Sequence, residues 1–357
     1  MALQAAVDHR IFHFTFEART SRGPMPSRTS WFIKLWDEKD PERQGIGECA
    51  PLPGLSVDYR ETMAEVLRHY AHAFIRQGDI SSVDSVYSII PGNLPSVRFA
   101  FEMAVRDWQQ GGRRIIFDNA FIHGQRIPIN GLIWMGEPDH MMRQADEKIA
   151  RGFRTIKLKV GSLRFDDECA VLQYIRERYR HLPIELRLDA NGALADDEAM
   201  DKLNVLKQFA IHSIEQPLKP GAAALEKLCR ISPVPVALDE ELIGVSSLQE
   251  KKELLERIKP HYIILKPSLH GGLQGCEEWI SLAGKNSIGW WMTSALESNI
   301  GLNAICQFTA QYPVTLPQGL GTGQLYHNNF ESPLTVSEGF VHYAPGAGWN
   351  LDDLFRH

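Results

Sequence analysis

The spacing of apolar and polar residues changes character near residue 126. Upstream, Ile11–Phe16 and Ser30–Trp36 read as antiparallel strands. Between them lies a loop from Ala18 to Arg28 that holds Thr20, Ser21, Arg22, Gly23, Pro24 and Pro26, all polar or turn-forming. Gly45-Ile-Gly-Glu-Cys-Ala-Pro51 ends this meander. Tyr59–Gln77 and Pro95–Gly111 then carry apolar residues at helical period, the second opening on Pro95-Ser96 and stopping at Gly111-Gly112. From Ile127 onward, apolar strand, polar loop and amphipathic helix alternate strictly, the pattern of parallel β/α units. The predicted strands are Ile127–Trp134, Thr155–Val160, Glu185–Asn191, His212–Pro217, Val234–Glu240, Tyr262–Pro267, Gly289–Ser294 and Val314–Gly319. Eight strands close a barrel, and seven full helices fit between them. The predicted class is therefore α/β: a modified (β/α)7β TIM-like barrel over residues 126–322, preceded by an α+β module over 1–125. The Asn-, Pro- and Gly-rich segment 323–357 is expected to return to that module.

At 357 residues the chain has room for a barrel and a smaller module. Its net charge of −6, with no block of like charge, argues against a nucleic-acid partner. No apolar run approaches the roughly 20 residues that span a bilayer, and the first residues lack a basic-then-apolar leader pattern. Five scattered cysteines without a CxxC pair read as reduced, buried thiols. A cytoplasmic enzyme with a small-molecule substrate is the expectation.

Seven short polar signatures punctuate the β/α half. They are Lys157-Leu-Lys159, Asp189-Ala-Asn191, Glu215-Gln-Pro217, Asp239-Glu240, Lys266-Pro267, Ser294-Ala-Leu-Glu297 and Gly321-Thr-Gly323. Counted from Lys159, they recur at steps of 30, 26, 24, 27, 28 and 27 residues, the length of one strand, one helix and two loops. A parallel barrel carries its chemistry at the C-terminal strand ends, so these signatures should meet at one mouth. A single acid at a strand end is ordinarily a helix cap or a solvated loop residue. Three on consecutive strands, Asp189, Glu215 and Asp239, are different. At an effective dielectric of ~20, each carboxylate pair ~4 Å apart repels by about 4 kcal/mol, so the cluster calls for a cation. All-oxygen donors without histidine or cysteine select a hard divalent ion, Mg2+ in preference, with Mn2+ as an alternative.

Lys157 and Lys159, two apart on one strand, face the same side. Lys266 follows the apolar Ile263-Ile-Leu265, which makes an idle solvated lysine a poor explanation. A lysine beside a divalent ion and a second lysine is expected to be pushed toward its neutral form, near pKa ~7–8. Such an amine suits removal of a proton α to a carboxylate, with the resulting enediolate stabilised by the ion. Phosphate-cradle and Schiff-base readings are weaker. No Walker-type glycine-lysine run exists, and a Schiff base leaves the three acids without a purpose.

In order and spacing these signatures resemble the enolase superfamily, in its muconate-lactonizing subgroup, from Gly47-Glu48 in a capping domain to Gly321. The resemblance implies Asp189, Glu215 and Asp239 as metal ligands, with Asp239 favoured over Glu240. It also implies Lys159 as the base on one side of the substrate and Lys266 on the other. Asn191 would support the metal site, and Arg187 the surroundings of the first-strand lysines, Lys157 among them. Residues 319–326 are similar to the eighth-strand segment of members that dehydrate 2-succinyl-6-hydroxy-2,4-cyclohexadiene-1-carboxylate in menaquinone biosynthesis. Dipeptide epimerases place an Asp-X-Asp pair there for the substrate ammonium, where this chain has Gly321-Thr322-Gly323. Racemization of N-succinyl amino acids and muconate lactonization use the same scaffold and stay open. The dehydration so implied uses Lys159 as base and Lys266 as a cation over the forming ring. Ser294, Gly321 and Thr322 line the succinyl side, and the Ala18–Arg28 loop closes over it, with Arg22 and Arg28 as candidates for the succinyl carboxylate.

Overall fold

The structure is a computed structural model that describes residues 2–16, 19–20 and 23–356. Its first part is an antiparallel sheet of Leu3–His13, Ser27–Asp37 and Asp40–Cys49, with Ser27–Asp37 in the middle. The middle strand is buried on both faces. Trp31, Ile33 and Leu35 pack on helices Met63–Gln77 and Pro95–Gln109, against Leu67, Phe74, Phe101 and Trp108. Phe32 turns the other way and joins Phe12, Tyr326, Phe330 and Leu354. Burial on both faces explains the near-continuous apolar run Trp31–Leu35. Two glycines let the third strand lie directly on its helix: a Cβ at Gly45 would meet the Ala104 carbonyl at 1.9 Å, and one at Gly47 the Ala100 carbonyl at 1.8 Å.

The first strand starts at Leu3, eight residues before the expected Ile11. Asp8, His9 and Arg10 obscure it in the sequence, because this is an edge strand whose side chains are mostly only half-buried. The helix expected from Tyr59 begins at Met63, and a short helix, Asp84–Ile89, was not foreseen.

Seven parallel strands follow in strict sequential order: Gly131–Ile133, Thr155–Lys159, Glu185–Asp189, Ser213–Glu215, Val236–Leu238, Tyr262–Leu265 and Gly289–Met292. Among the described residues seven α-helices accompany them, from Pro138–Ala150 to Asn299–Thr309. The expected first strand divides. Ile127–Pro128 pairs antiparallel with Phe340–Tyr343 in a separate small sheet, and only Gly131–Ile133 joins the parallel one. The expected eighth strand, Val314–Gly319, forms no regular ladder, since Pro317 brings no N–H. Single parallel bridges still join the two edges through it, Gln318 to Ile129 and Gly319 to Thr293. The Gln318 side chain supplies an acceptor where the ladder is interrupted, its Oε1 accepting from Met292 N at 2.7 Å. Of the segment after Gly323, Leu325–Phe330 and Trp349–Phe355 pack on the antiparallel sheet, whereas Leu334–Tyr343 pack on the barrel core. Tyr326 bridges Phe14, and Asn328 Oδ1 accepts from His13 N at 3.0 Å.

Two buried carboxylates from the N-terminal part cap helices of the parallel part. Glu48 accepts from Ser298 N at 2.8 Å, Ser298 Oγ at 2.6 Å and Gly301 N at 2.9 Å, at the start of Asn299–Thr309. Glu102 accepts from Leu273 N at 2.6 Å and Gln274 N at 3.0 Å, at the start of Gly272–Lys285. Each satisfies free helix N–H groups and faces the positive end of a helix dipole. Burial nevertheless pushes the Glu102 carboxyl up to about 7, against the pull of those N–H groups, Tyr87 and Arg106. The folded chain thus holds a proton that the unfolded chain releases near 4.5. Stability from Glu102 is therefore complete below about pH 4.5 and is lost as pH rises toward 7. The melting temperature of the native chain should fall relative to that of Glu102→Gln across this window; parallel pH profiles would contradict the assignment.

Candidate active site

Strand register builds the site. Lys159, Asp189 and Glu215 lie side by side on adjacent strands, one step above the row Lys157, Arg187 and Ser213. Asp239 follows Val236–Leu238 and Lys266 follows Tyr262–Leu265, so the sheet order sets Lys266 across the barrel from the Thr155–Lys159 strand. The three acids are almost fully buried, at 1–2% exposure. The Lys157 amine lies 3.0 Å from Asp189 Oδ2 and 2.7 Å from Glu215 Oε2. Lys159 Nζ donates to Asn191 Oδ1 at 2.7 Å and sits 3.2 Å from Asp189 Oδ2. Lys266 Nζ pairs with Asp239 Oδ2.

The residues that follow the acids bend the chain over the mouth. Asn191 and Gln216 have φ of +45° and +39°, a left-handed conformation uncommon outside glycine. Asn191 bridges Lys159 to Glu240, its Nδ2 donating to Glu240 Oε1 at 2.9 Å. The Gln216 side chain is buried and ties the backbone of two loops: it accepts from Asp239 N at 3.2 Å and Glu241 N at 3.0 Å and donates to Leu218 O at 2.9 Å. These contacts give the Glu-Gln-Pro signature a structural content that its sequence alone did not disclose.

The acids set the charge of two of the lysines. Burial lowers the Lys157 and Lys266 amines, but nearby carboxylates overcome it and hold both above the ordinary lysine value. The carboxylates responsible are Asp189 and Glu215 for Lys157, and Asp239, Glu215 and Glu240 for Lys266. The expected drop toward 7–8 assumed a divalent ion beside the amine; in this geometry the lysines themselves are the counter-ions. Asp189 is held low, because Lys157 and Lys159 outweigh its burial, and Lys266 does the same for Asp239. Glu215 rises to about 8 through burial and the adjoining Asp189 charge. Glu240 also rises, through burial and Asp239.

With these amines folded onto the acids, no three acidic, histidine or cysteine side chains among the described residues close around one point. The donor set still fits a hard divalent ion. It is oxygen-rich, and the buried Asp239 Oδ1 and Glu240 Oε2 have no hydrogen-bond partner. Asp189, Glu215 and Asp239, with Glu240 beside them, are the residues able to hold it.

Lys157, Lys159, Asp189, Asn191, Asp239 and Lys266 form one side of a cavity that Trp291 floors. An apolar part of the lining comes from Met25, Leu52, Leu55, Leu269, Ala295 and Leu296. Ser294 Oγ and Thr322 Oγ1 pair at 2.7 Å in the lining, beside Gly321. Arg187 does not line the cavity: it lies beneath the floor, 4.3 Å from the Trp291 ring, and donates to Glu185 and Pro317 O. Arg22 lies outside the described residues. Arg28 does not face the cavity as a free cation; its guanidinium is buried and donates to the carbonyls of Ala50, Ala295 and Leu296. Sequence reasoning missed Trp291 as a cavity residue, although inward alternation on the Gly289–Met292 strand carried the signal for it; Glu240, weighed against Asp239 in the sequence, lines the cavity beside it.

Residues 140–354 match the family model described as Enolase C-terminal domain-like. The chain belongs to the enolase superfamily. An o-succinylbenzoate synthase from Desulfotalea psychrophila is 44% identical over 355 residues, 92% of this chain and 95% of that one. A solved structure from the same organism, described as MenC, is 39% identical with a TM-score of 0.82, over 96% of this chain and 100% of that one. A dipeptide epimerase from Enterococcus faecalis, solved with Mg and the dipeptide L-Leu-L-Tyr, shares the fold. It is 20% identical with a TM-score of 0.83, over 98% of this chain and 99% of that one. Members of the superfamily generally bind a divalent metal.

Gln216→Ala would leave the backbone at Asp239, Glu241 and Leu218 without its buried partners. Unpaired buried polar groups cost about 1–3 kcal/mol each, so urea unfolding should register a loss of at least about 2 kcal/mol. An unchanged unfolding midpoint would remove Gln216 from the architecture of the site.

Proposed function

We propose that this chain carries out the o-succinylbenzoate synthase reaction, the syn-dehydration of 2-succinyl-6-hydroxy-2,4-cyclohexadiene-1-carboxylate to 2-succinylbenzoate in menaquinone biosynthesis. The observation that carries the reading is its end-to-end likeness to the Desulfotalea synthase. The lysines that face one another over an acid cluster support it.

Asp189, Glu215 and Asp239 would hold the divalent ion, Mg2+ by preference and Mn2+ as a substitute. When bound, the ion supplies Lewis-acid stabilisation of the negative charge that builds on the substrate carboxylate. Lys159 Nζ takes the proton α to that carboxylate. The C–H electron pair enters the ring, and the hydroxyl on the adjacent carbon leaves with the same proton, returned by Lys159 on the same face. Water and an aromatic ring are the products. Lys157 carries a charge of its own against Asp189 and Glu215 and orders the acids. Lys266, as an ammonium, lies over the forming ring, where a cation–π contact contributes on the order of 1–2 kcal/mol. Ser294 and Thr322, with the backbone around Gly321, receive the succinyl arm. Arg187 supports the floor, and Asn191 orients Lys159. We place the reaction in the cytoplasm, a reading that the five free cysteines support. Among the described residues no helix is long and apolar enough to cross a membrane.

The proposal divides the chain at about residues 125 and 322, into a capping domain, a barrel that bears the chemistry, and a C-terminal segment that docks on the cap.

The direct test offers the cyclohexadiene acid to the purified protein with Mg2+ and in EDTA. Rapid turnover that disappears on chelation is expected; no turnover with metal would sink the reading. Lys159→Ala should lose dehydration by several orders of magnitude with calorimetric metal binding intact. Lys266→Arg keeps a cation and should retain a measurable fraction, though guanidinium fits differently from ammonium. Equal losses in both variants would favour a two-base racemase instead.

Dipeptides supply a second comparison. Gly321-Thr322-Gly323 offers no anion for an α-ammonium, and a buried unpaired charge is costly. Epimerization of L-Ala-L-Glu should therefore be undetectable beside dehydration, and comparable rates would overturn this basis for specificity.

A further inference from the structure

We infer that Arg28 is a positioning residue that sets the apolar half of the cavity by tying its two walls together; the kinetic part of this inference rests on the dehydration proposed above. The two walls come from distant parts of the chain. Leu52 and Leu55 belong to the turn that follows the Asp40–Cys49 strand, whereas Ala295 and Leu296 belong to the turn after Gly289–Met292. Leu52, Ala295 and Leu269 pack as one small apolar cluster, with Leu55, Leu296 and Met25 against it. Nothing covalent holds this cluster closed. Arg28 stands behind it, 5% exposed and not itself a lining residue.

Its fork reaches both sides at once. Nη2 donates to Ala50 O at 2.6 Å, two residues before Leu52. Nη1 donates at 2.5 Å to Ala295 O and to Leu296 O. The second turn needs such a hold: Leu296 has φ of +63°, a conformation that a leucine adopts only under constraint. Tyr326 OH adds a donor to the same Leu296 carbonyl at 2.7 Å, and Glu297 accepts from Ala295 N at 2.6 Å. Only a planar guanidinium offers donors spaced for carbonyls on two segments; an ammonium presents a compact point charge. Arg28 bonds to these carbonyls and not to the acids or lysines, so it acts on where the substrate's remaining atoms rest, and not on proton transfer.

Arg28→Met keeps length and apolar bulk while it removes every donor. Charge-assisted hydrogen bonds to carbonyls are strong enough that KM should rise about ten-fold or more, with kcat changed by less than about three-fold. Metal affinity by calorimetry should be unchanged, and Arg28→Lys should recover part of the loss. Hydrogen exchange gives a readout independent of any substrate: backbone amides of residues 50–56 and 294–300 should both exchange faster in Arg28→Met. Faster exchange in one segment alone, or in neither, would overturn the tie. A fall in kcat equal to that in kcat/KM, at constant KM, would overturn the role in positioning. If the native chain does not turn over the cyclohexadiene acid, the proposed function falls while the exchange comparison still decides the tie. Arg28→Gln, too short to reach both segments, supplies the same comparison if the methionine variant does not fold.

Discussion

The mutual repulsion of buried carboxylates is the constraint around which this structure is organised. Asp189, Glu215 and Asp239 end three consecutive strands at 1–2% exposure, where ionised groups are far costlier than at a surface. Lys157 and Lys266 answer that charge directly, and their raised pKa values express how firmly the acids hold them. The same balance prepares the site for a divalent ion. Donors that lysines satisfy only in part, with Asp239 Oδ1 unpartnered, are donors a metal can take. The active lysines then gain freedom in proportion to the charge the ion removes from their partners.

Holding such a cluster together demands rigid surroundings, and most of them are backbone contacts made by buried polar side chains. Gln216 locks the Asp239 loop, Asn191 joins Lys159 to Glu240, and Arg187 under Trp291 stiffens the floor. Further out, Glu48 and Glu102 reach from the N-terminal part to helix starts of the barrel, and Arg28 reaches to the turn of Leu296. The cavity is therefore a joint product. Its chemical side comes from strand ends, and its apolar side depends on how the N-terminal part is docked.

Legibility in the sequence followed the range of the interactions concerned. The β/α repeat and the strand-end acids were readable because each rests on local pattern, an apolar run that stops at a polar residue. The interrupted eighth strand was partly readable, since Pro317 forbids a regular ladder, yet the closing bridges of Gln318 and Gly319 are long-range facts. The strand from Leu3 was hidden by its own polar edge. Arg28 misled for a physical reason. An arginine in a loop beside an anion site reads as a ligand for anions, and only the three carbonyls around it reveal a strut. Likewise no spacing announces that Glu48 will cap a helix some 250 positions away.

The most direct test of this balance is anomalous diffraction from crystals of the protein loaded with Mn2+. The account places one strong peak among the carboxylates of Asp189, Glu215 and Asp239, with the Lys157 and Lys266 amines drawn away from the oxygens they now touch. A peak elsewhere, or none while both amines remain paired with the acids, would contradict it.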